Sequence, residues 1–235
     1  MLSVLIISWL LNFVPAGEAG PLKKPEKLHF TQAWVWQYQN DWMPAGDIGH
    51  RGEFLVYRDT TANTWLFDAK GYGRTGSGFD FIVGNPDGQF VFCFKDDKGK
   101  KRRSVRSISE ITTSRSDDRI IKQEFEASNQ ATGKSRSFDL QAGVATAGKE
   151  FVFSPSRSEE KTFRYLADTQ VDFQSIVYFN FIEGEVKLPY HFPTDIPLGK
   201  MLLEDSTTYQ DGRKIVFRLK AIGPAEIKVD LSQYR

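Results

Sequence analysis

The chain has 235 residues, a formal net charge of +1 and an aromatic content of 14%. This length can bury a sizeable core as one large domain or two small ones. The near-neutral charge excludes a protein that is drawn to nucleic acid by its overall field. Phe is the most frequent aromatic residue, with 19 copies, and because Phe and Trp favour strands the composition indicates a β-rich fold.

The first residues predict the compartment. Residues 2–14 form an apolar run that only two serines and one asparagine interrupt. A membrane-spanning helix needs about 20 residues, so this shorter run fits the apolar core of a signal peptide, although no Lys or Arg precedes it. The triplets Val14-Pro15-Ala16 and Gly17-Glu18-Ala19 both offer small residues at the cleavage positions. The alternative is a buried N-terminal strand or helix. We expect residues 1–19 to be a cleavable signal peptide and the protein to be secreted or periplasmic, with no transmembrane segment.

Cysteine usage is consistent with a bacterial periplasm or exterior. Cys93 is the single cysteine, so no intrachain disulfide can form, and no cysteine follows the leader as a lipid anchor would require. Secretion without disulfides is less typical of a small eukaryotic domain. Because Cys93 lies between Phe92 and Phe94, we expect a buried, unreactive thiol.

The first strand is predicted after a linker at residues 20–26. Apolar and aromatic residues fall on even positions from Leu28 to Tyr38, interrupted only by Gln32. A period of two describes a strand with one aromatic face. Residues 40–52 then read as a loop, because a proline and several glycines punctuate them.

Four short strands with turn sequences between them follow in residues 52–94. They are predicted at residues 54–57, 64–67, 79–83 and 89–94. The sequence Asn-Pro-Asp-Gly at 85–88 is a strong turn signal. The fourth strand is apolar on both faces, which predicts a central strand covered on both sides.

The second half resumes strand patterns after a helical turn suggested at residues 105–111. Strands are predicted at residues 120–126, 135–140, 150–153, 171–181, 186–188, 201–209, 215–221 and 227–231. Residues 156–168 fit a helix or a strand and stay open. Asp-Gly at 211–212 predicts a hairpin turn, and Gly-Pro at 223–224 predicts a further turn.

These patterns predict a mainly β fold in which an antiparallel meander forms a curved sheet, an open barrel or a sandwich, with one or two short helices. We expect a single β-rich domain over residues 20–235, with 104–118 as the best candidate for a weak subdivision.

Two sequence motifs are assigned no function. Residues 71–76 match G-x-G-x-x-G, but a strand pattern follows where dinucleotide binding requires a helix. We interpret them as a flexible hairpin loop. The basic run at 95–106 includes Asp96 and Asp97, which is typical of a charged hairpin tip or solvated loop. Nucleic acid is not an expected partner.

The candidate ligand-binding residues are Trp34, Trp36, Tyr38 and Trp65. Large aromatic side chains are by default core. They could instead line an apolar pocket or form a platform for sugar rings.

An alternative polar site combines Asp47, His50 and Glu53 in and beside the glycine-rich loop. A general base oriented by a carboxylate has this composition, and so does a solvated loop. The histidines at 29, 50 and 191 are too far apart for a zinc motif. We predict no catalytic residue, metal site or cofactor.

The leading functional hypothesis is a non-enzymatic secreted or periplasmic protein that binds a lipid-like, apolar or amphiphilic ligand in a concave β surface. The second is a carbohydrate-binding or adhesion module. The third is a hydrolase with an unrecognised site around residues 40–52.

Overall fold

The computed structural model describes residues 26–47, 49–68, 79–107, 118–141, 143–153, 160–173, 176, 192–193 and 195–235. Within them the strands are β1 (Lys27–Asn40), β2 (Arg51–Asp59), β3 (Thr64–Asp68), β4 (Phe81–Gly84), β5 (Gln89–Lys95), β6 (Lys101–Ser107), β7 (Asn129–Gln141), β8 (Val144–Phe153), β9 (Lys161–Asp168), β10 (Lys200–Thr208) and β11 (Lys214–Asp230). Helix α1 spans Asp118–Ser128, and a 3-10 helix spans Leu231–Gln233.

The strands form one antiparallel open sheet, which confirms the predicted fold class. Their order is β6-β5-β4-β3-β2-β1-β11-β10-β9-β8-β7. The sheet therefore consists of two meanders, β1–β6 and β7–β11, joined where the first strand pairs with the last. Strand β7 also contacts β11, although three strands separate them in the sheet. This contact requires the sheet to curl strongly.

The first meander carries what we call the aromatic face, the side of β1–β5 and β11 that bears Trp36. Side chains alternate along β1, so Trp34, Trp36 and Tyr38 share this side. Cross-strand pairing extends it, because Trp36 lies opposite Phe54 on β2 and Leu219 on β11. Further buried residues of the face are Val56, Trp65, Phe67, Ile82, Phe90, Phe92 and Phe217.

A smaller cluster lies on the opposite face of β3–β5. Its buried members are Leu28, Phe30, Leu66, Val83, Val91, Cys93, Leu231 and Tyr234. Tyr234 Oη donates a hydrogen bond of 2.8 Å to Asp80, just before β4. The start of β1 and the end of β11 therefore pack against the face of β3–β5 that lies opposite the aromatic face.

Strand β5 is covered on both faces, as its sequence predicts. Phe90 and Phe92 belong to the aromatic face, whereas Val91 and Cys93 belong to the opposite cluster. The strand is not central, however, because it lies one position from the edge of the sheet. Its outer neighbour β6 is the edge strand and consists largely of Lys and Arg, residues that discourage edge-to-edge association.

The prediction of a strand at residues 120–126 is wrong, because these residues belong to α1. Phe125 is buried and its ring meets that of Phe151 edge-on at 5.2 Å. In the sequence, Ile121 and Phe125 are four residues apart, which is a helical spacing. Between them lie Lys, Gln and Glu, all good helix formers.

The helical turn suggested at residues 105–111 is wrong for its first part. Val105 lies in β6, opposite Val91 of β5. The basic run predicted as a hairpin tip is thus split between the turn that follows β5 and the edge strand itself. Residues 106 and 107 also belong to β6, and residues 108–111 of the predicted helical turn lie outside the described part of the chain.

The turn predicted at Gly223–Pro224 is also wrong, since β11 runs through it without interruption. Pro224 pairs with Gln32 of β1, where the register between the two strands shifts. A proline lacks the N–H that a regular ladder uses, and an irregularity of this kind is where a sheet tolerates it.

The prediction of a long strand at residues 171–181 is wrong for Val171–Phe173, because these residues lie outside any strand. The open segment 156–168 forms strand β9 from Lys161 onward. The hairpin with its turn at Asp211–Gly212 is confirmed, and Gly212 has φ +84°. The predictions for residues 1–25, 71–76, 177–181 and 186–188 lie outside the described residues.

Candidate functional site

The four aromatic residues predicted as ligand contacts are buried. Trp36 and Trp65 are 0% exposed, Trp34 2% and Tyr38 7%. Trp34 meets the Trp65 ring edge-on, with centroids 5.1 Å apart. Trp65 Nε1 donates a hydrogen bond of 2.9 Å to the carbonyl of Asp172. The four side chains are thus part of the core, and Trp34 also lines a cleft.

Phe173 and Phe192, which lie between β9 and β10 in the chain, pack on the aromatic face. Trp36 stacks on Phe217 at 4.7 Å with an interplanar angle of 4°. Phe192 meets Trp36 edge-on at 5.0 Å, and Phe173 lies 6.1 Å from it. These two side chains therefore occupy the part of the aromatic face around Trp36.

A cleft opens at the end of this face, beside Trp34. We call it the Trp34 cleft, and its volume is about 190 Å³. An open depression of about 470 Å³ adjoins it and shares Gln32, Gln141 and Ile222. The apolar wall of the cleft consists of Trp34, Leu140, Val144, Val171, Met201 and Ile222. Its polar lining consists of Gln32, Arg58, Gln141, Thr146 and Thr169.

The polar end of the cleft is built by a cross-strand pair. Gln32 of β1 lies directly opposite Arg58 of β2. Arg58 Nη1 donates to Gln32 Oε1 at 3.4 Å, and Nε and Nη2 donate to Asn63 Oδ1 at 3.2 and 2.8 Å. The guanidinium carbon lies 5.8 Å from the ring centroid of Trp65. The amides and the ring therefore hold Arg58 in place.

Burial lowers the pKa of Arg58, while the negative charges of Asp172 and Asp59 oppose that shift. A guanidinium stays protonated in proteins at neutral pH. The cleft therefore presents a half-buried positive charge at one end and hydrocarbon along its wall. This combination can bind a molecule that is apolar along its length and negative at its tip.

The residues of the alternative polar site have separate partners. His50 Nδ1 lies 3.0 Å from the Met43 carbonyl oxygen and 3.3 Å from that of Asn40. Asp47 accepts a hydrogen bond from the backbone N–H of Gly49 at 2.8 Å. Glu53 pairs with Lys220 at 2.6 Å. These contacts stabilise the loop and do not join the three side chains in one site.

The second meander contains a buried ionic cluster that the sequence analysis missed. Arg164 donates to Asp195 at 2.7 Å, to Asp205 at 3.1 Å and to Asn129 Oδ1 at 3.1 Å. Asn129 also donates to Asp195 at 2.9 Å. The cluster joins β7, β9, β10 and the segment before β10, so its arrangement is that of a structural anchor.

A second group of charges lies on the same meander. Tyr165 donates a short hydrogen bond to Glu150, and Thr132 donates another at 2.8 Å. These two bonds hold the pKa of Glu150 below its usual value. Glu204 accepts short hydrogen bonds from Arg136 and Arg218.

Cys93 is 0% exposed. Burial raises the pKa of its thiol to about 12, so it is protonated and unreactive at neutral pH.

Within the described residues there is no group of three or more His, Cys, Asp or Glu side chains that could hold a metal ion. Among the same residues, no helix has the length and apolar character needed to cross a membrane. A comparison of the sequence with protein-family models and with curated proteins finds no match.

A sequence signal for the polar end of the cleft does exist. Phe54, Val56 and Arg58 share one face of β2, as Trp34 and Gln32 share one face of β1. Gln32 interrupts the apolar residues of this face between Leu28 and Tyr38, and Arg58 follows the apolar residues Phe54 and Val56. Because β1 pairs with β2, Gln32 and Arg58 become neighbours. The apolar wall has no comparable signal, since Leu140, Met201 and Ile222 come from three distant strands.

Proposed function

We propose that the protein is a secreted or periplasmic, non-enzymatic binding protein that holds an apolar or amphiphilic ligand in the Trp34 cleft. The observation that supports this is an apolar cleft at the uncovered end of the aromatic face. Small-molecule sites are concave, largely apolar and equipped with a few polar groups. The proposed ligand site is the cleft, because Phe173 and Phe192 pack into the core elsewhere on the aromatic face.

The cleft limits the size of the ligand. Typical small-molecule pockets have volumes of about 300–1,000 Å³, and the Trp34 cleft has about 190 Å³. It therefore accommodates one narrow apolar chain, whose polar end lies beside Gln32 and Arg58.

The carbohydrate-binding alternative gains no support from the four aromatic residues, because buried rings cannot stack on sugars. The hydrolase alternative gains none from His50, whose hydrogen bonds go to backbone carbonyls.

Filling the cleft tests the proposal. Thr146 of β8 lines the cleft and is half-buried. We expect Thr146→Trp to abolish binding of an apolar dye such as Nile red and of any lipid seen by native mass spectrometry after gentle purification. The matched control is Thr208→Trp at the exposed end of β10, which should bind as the wild type does. Equal binding by both variants, or no binding by the wild type, would contradict the proposal.

The compartment has its own test. N-terminal sequencing of protein recovered from the periplasm or medium should show a mature chain that begins after Ala16 or Ala19. Recovery of an uncleaved chain from the cytosol would contradict secretion.

A further inference from the structure

The positive end of the Trp34 cleft has spare hydrogen-bonding capacity. A guanidinium has five N–H donors, two on each terminal nitrogen and one on Nε. Arg58 uses Nε, one donor of Nη1 and one of Nη2 on Asn63 and Gln32. Among the described residues, the second donor of Nη1 and that of Nη2 have no hydrogen-bond partner. Two parallel N–H groups are what a carboxylate binds in bidentate fashion.

The charge of Arg58 is not matched by a direct ion pair among the described residues. Its three hydrogen bonds all go to neutral amide oxygens. Asp59 and Asp172 act on it only through space, and Asp59 accepts hydrogen bonds from the backbone N–H groups of Thr61 and Ala62 instead. A half-buried cation in these surroundings is stabilised by an anion that enters the cleft.

The apolar wall determines what must be attached to that anion. Trp34, Leu140, Met201 and Ile222 border the same cleft as Arg58. An inorganic anion would leave this hydrocarbon in contact with water, whereas a chain attached to the anion would cover it. Covering apolar surface contributes about 25 cal/mol per Å², so chain and head group act together.

We propose that the Trp34 cleft binds a fatty acid, whose carboxylate accepts two hydrogen bonds from Arg58 and whose alkyl chain lies against Trp34, Met201 and Ile222. This assignment rests on the proposed function, and it specifies the ligand class. A carboxylate carries a single negative charge, so it adds little to the negative charges of Asp59 and Asp172 that already act on Arg58. A phosphate monoester carries about 1.5 to 2 negative charges at neutral pH and would leave part of its charge uncompensated.

The test compares amphiphiles that share one chain and differ in the head group. Laurate, lauryl alcohol and lauryl phosphate are titrated against the full protein by calorimetry or by displacement of Nile red. We expect laurate to bind about tenfold more tightly than the alcohol, as one charge-assisted hydrogen-bonded pair implies. Lauryl phosphate should bind more weakly than laurate.

Matched variants then assign the preference to one residue. Arg58→Gln should lower laurate affinity about tenfold while leaving lauryl alcohol unchanged, and Arg58→Lys should retain part of the preference. Arg51→Gln is the control, since Arg51 lies on the same strand but is exposed and outside the cleft. Thermal unfolding of each variant shows that it is folded.

The outcomes separate this inference from the proposed function. If laurate and the alcohol bind equally, or if Arg58→Gln weakens both alike, the fatty-acid assignment is wrong and binding of an apolar ligand stands. Tighter binding of lauryl phosphate than of laurate would also contradict the assignment of a carboxylate head group. If no amphiphile binds the wild type, the proposed function fails as well.

Discussion

The two meanders of the sheet are held together by different interactions. The first, β1–β6, buries a set of aromatic rings, and Trp36 of this meander packs against Phe217 of β11 and against Phe192. The second, β7–β11, buries charges, with Arg164 bound to Asp195 and Asp205. The stability of the first meander thus depends mainly on apolar burial. That of the second depends more on buried ion pairs, which are favourable only when both partners are present.

This difference determines how each half responds to substitution. Loss of an aromatic side chain removes transfer free energy and leaves a cavity. Loss of one partner from a buried ionic cluster leaves the other charge unpaired, which costs more than the pair itself contributes. The cleft lies where the two meanders meet, since β1 and β2 supply its polar end and β7, β8 and β10 supply much of its wall.

The largest effect is expected from Trp36→Ala in the first meander. Trp36 is 0% exposed and contacts three rings, so its removal should lower the free energy of unfolding by about 3–5 kcal/mol. Urea denaturation measures this. Trp42→Ala is the control, because Trp42 is 48% exposed, and its loss should cost less than about 1 kcal/mol. Equal losses would contradict the role of the aromatic face.

Arg164→Met should have the next largest effect and tests the second meander. It leaves Asp195 and Asp205 without their cation, and removal of one partner of a buried pair costs about 3 kcal/mol. Adding Asp195→Asn to Arg164→Met should recover part of this loss, because one unpaired charge disappears. Urea denaturation of both variants measures their free energies of unfolding. If the double variant is less stable than the single one, the unpaired charge is not the cause.

Gly52→Ala probes the packing of the aromatic face more gently. Gly52 lies opposite Tyr38, and a Cβ at this position would collide with the hydroxyl group and ring of Tyr38. Displacing the ring should cost about 1–2 kcal/mol, as overpacking does. Gly223→Ala is the matched control, since no atom lies within 4 Å of a Cβ there. A similar loss in both variants, measured by denaturation, would show that backbone effects dominate.

The smallest effect concerns the pH dependence set by Glu150 in the second meander. Its pKa is lowered below 4.5, first of all by the hydrogen bond from Tyr165. A lowered folded-state pKa stabilises the protein above the unfolded value, and this stabilisation is lost as pH falls through the folded value. Tyr165→Phe should therefore flatten the decline in unfolding free energy on the acid side. Tyr209→Phe should keep the wild-type slope, and an unchanged slope in Tyr165→Phe would contradict the assignment.

Local pattern predicted the first meander well. The alternation from Leu28 to Tyr38 and the Asn-Pro-Asp-Gly turn at 85–88 determine strands β1, β4 and β5, because side chains of a half-buried strand repeat every two residues. The same rule misassigned residues 120–126, where apolar residues are few and helix formers dominate. It also placed a turn at Pro224, because a register irregularity that accommodates proline depends on the partner strand.

The candidate site was predictable only in part. Trp34 was named from its position on the aromatic strand, and the structure places it at the border of the cleft. Gln32 was noted only as an interruption, and Arg58 was missed. Pairing between β1 and β2 makes these two residues neighbours, and no local pattern reports it.

The sequence by itself determined the β class of the protein, the order of its first strands and the burial of Cys93. These follow from side-chain periodicity and turn chemistry, which act over a few residues. The tertiary structure alone decided the pairing of β1 with β11, the covering of Trp36 by Phe192 and the ionic cluster around Arg164. The physical reason is that each of these depends on the curl of the sheet, which brings together side chains that lie far apart in the chain.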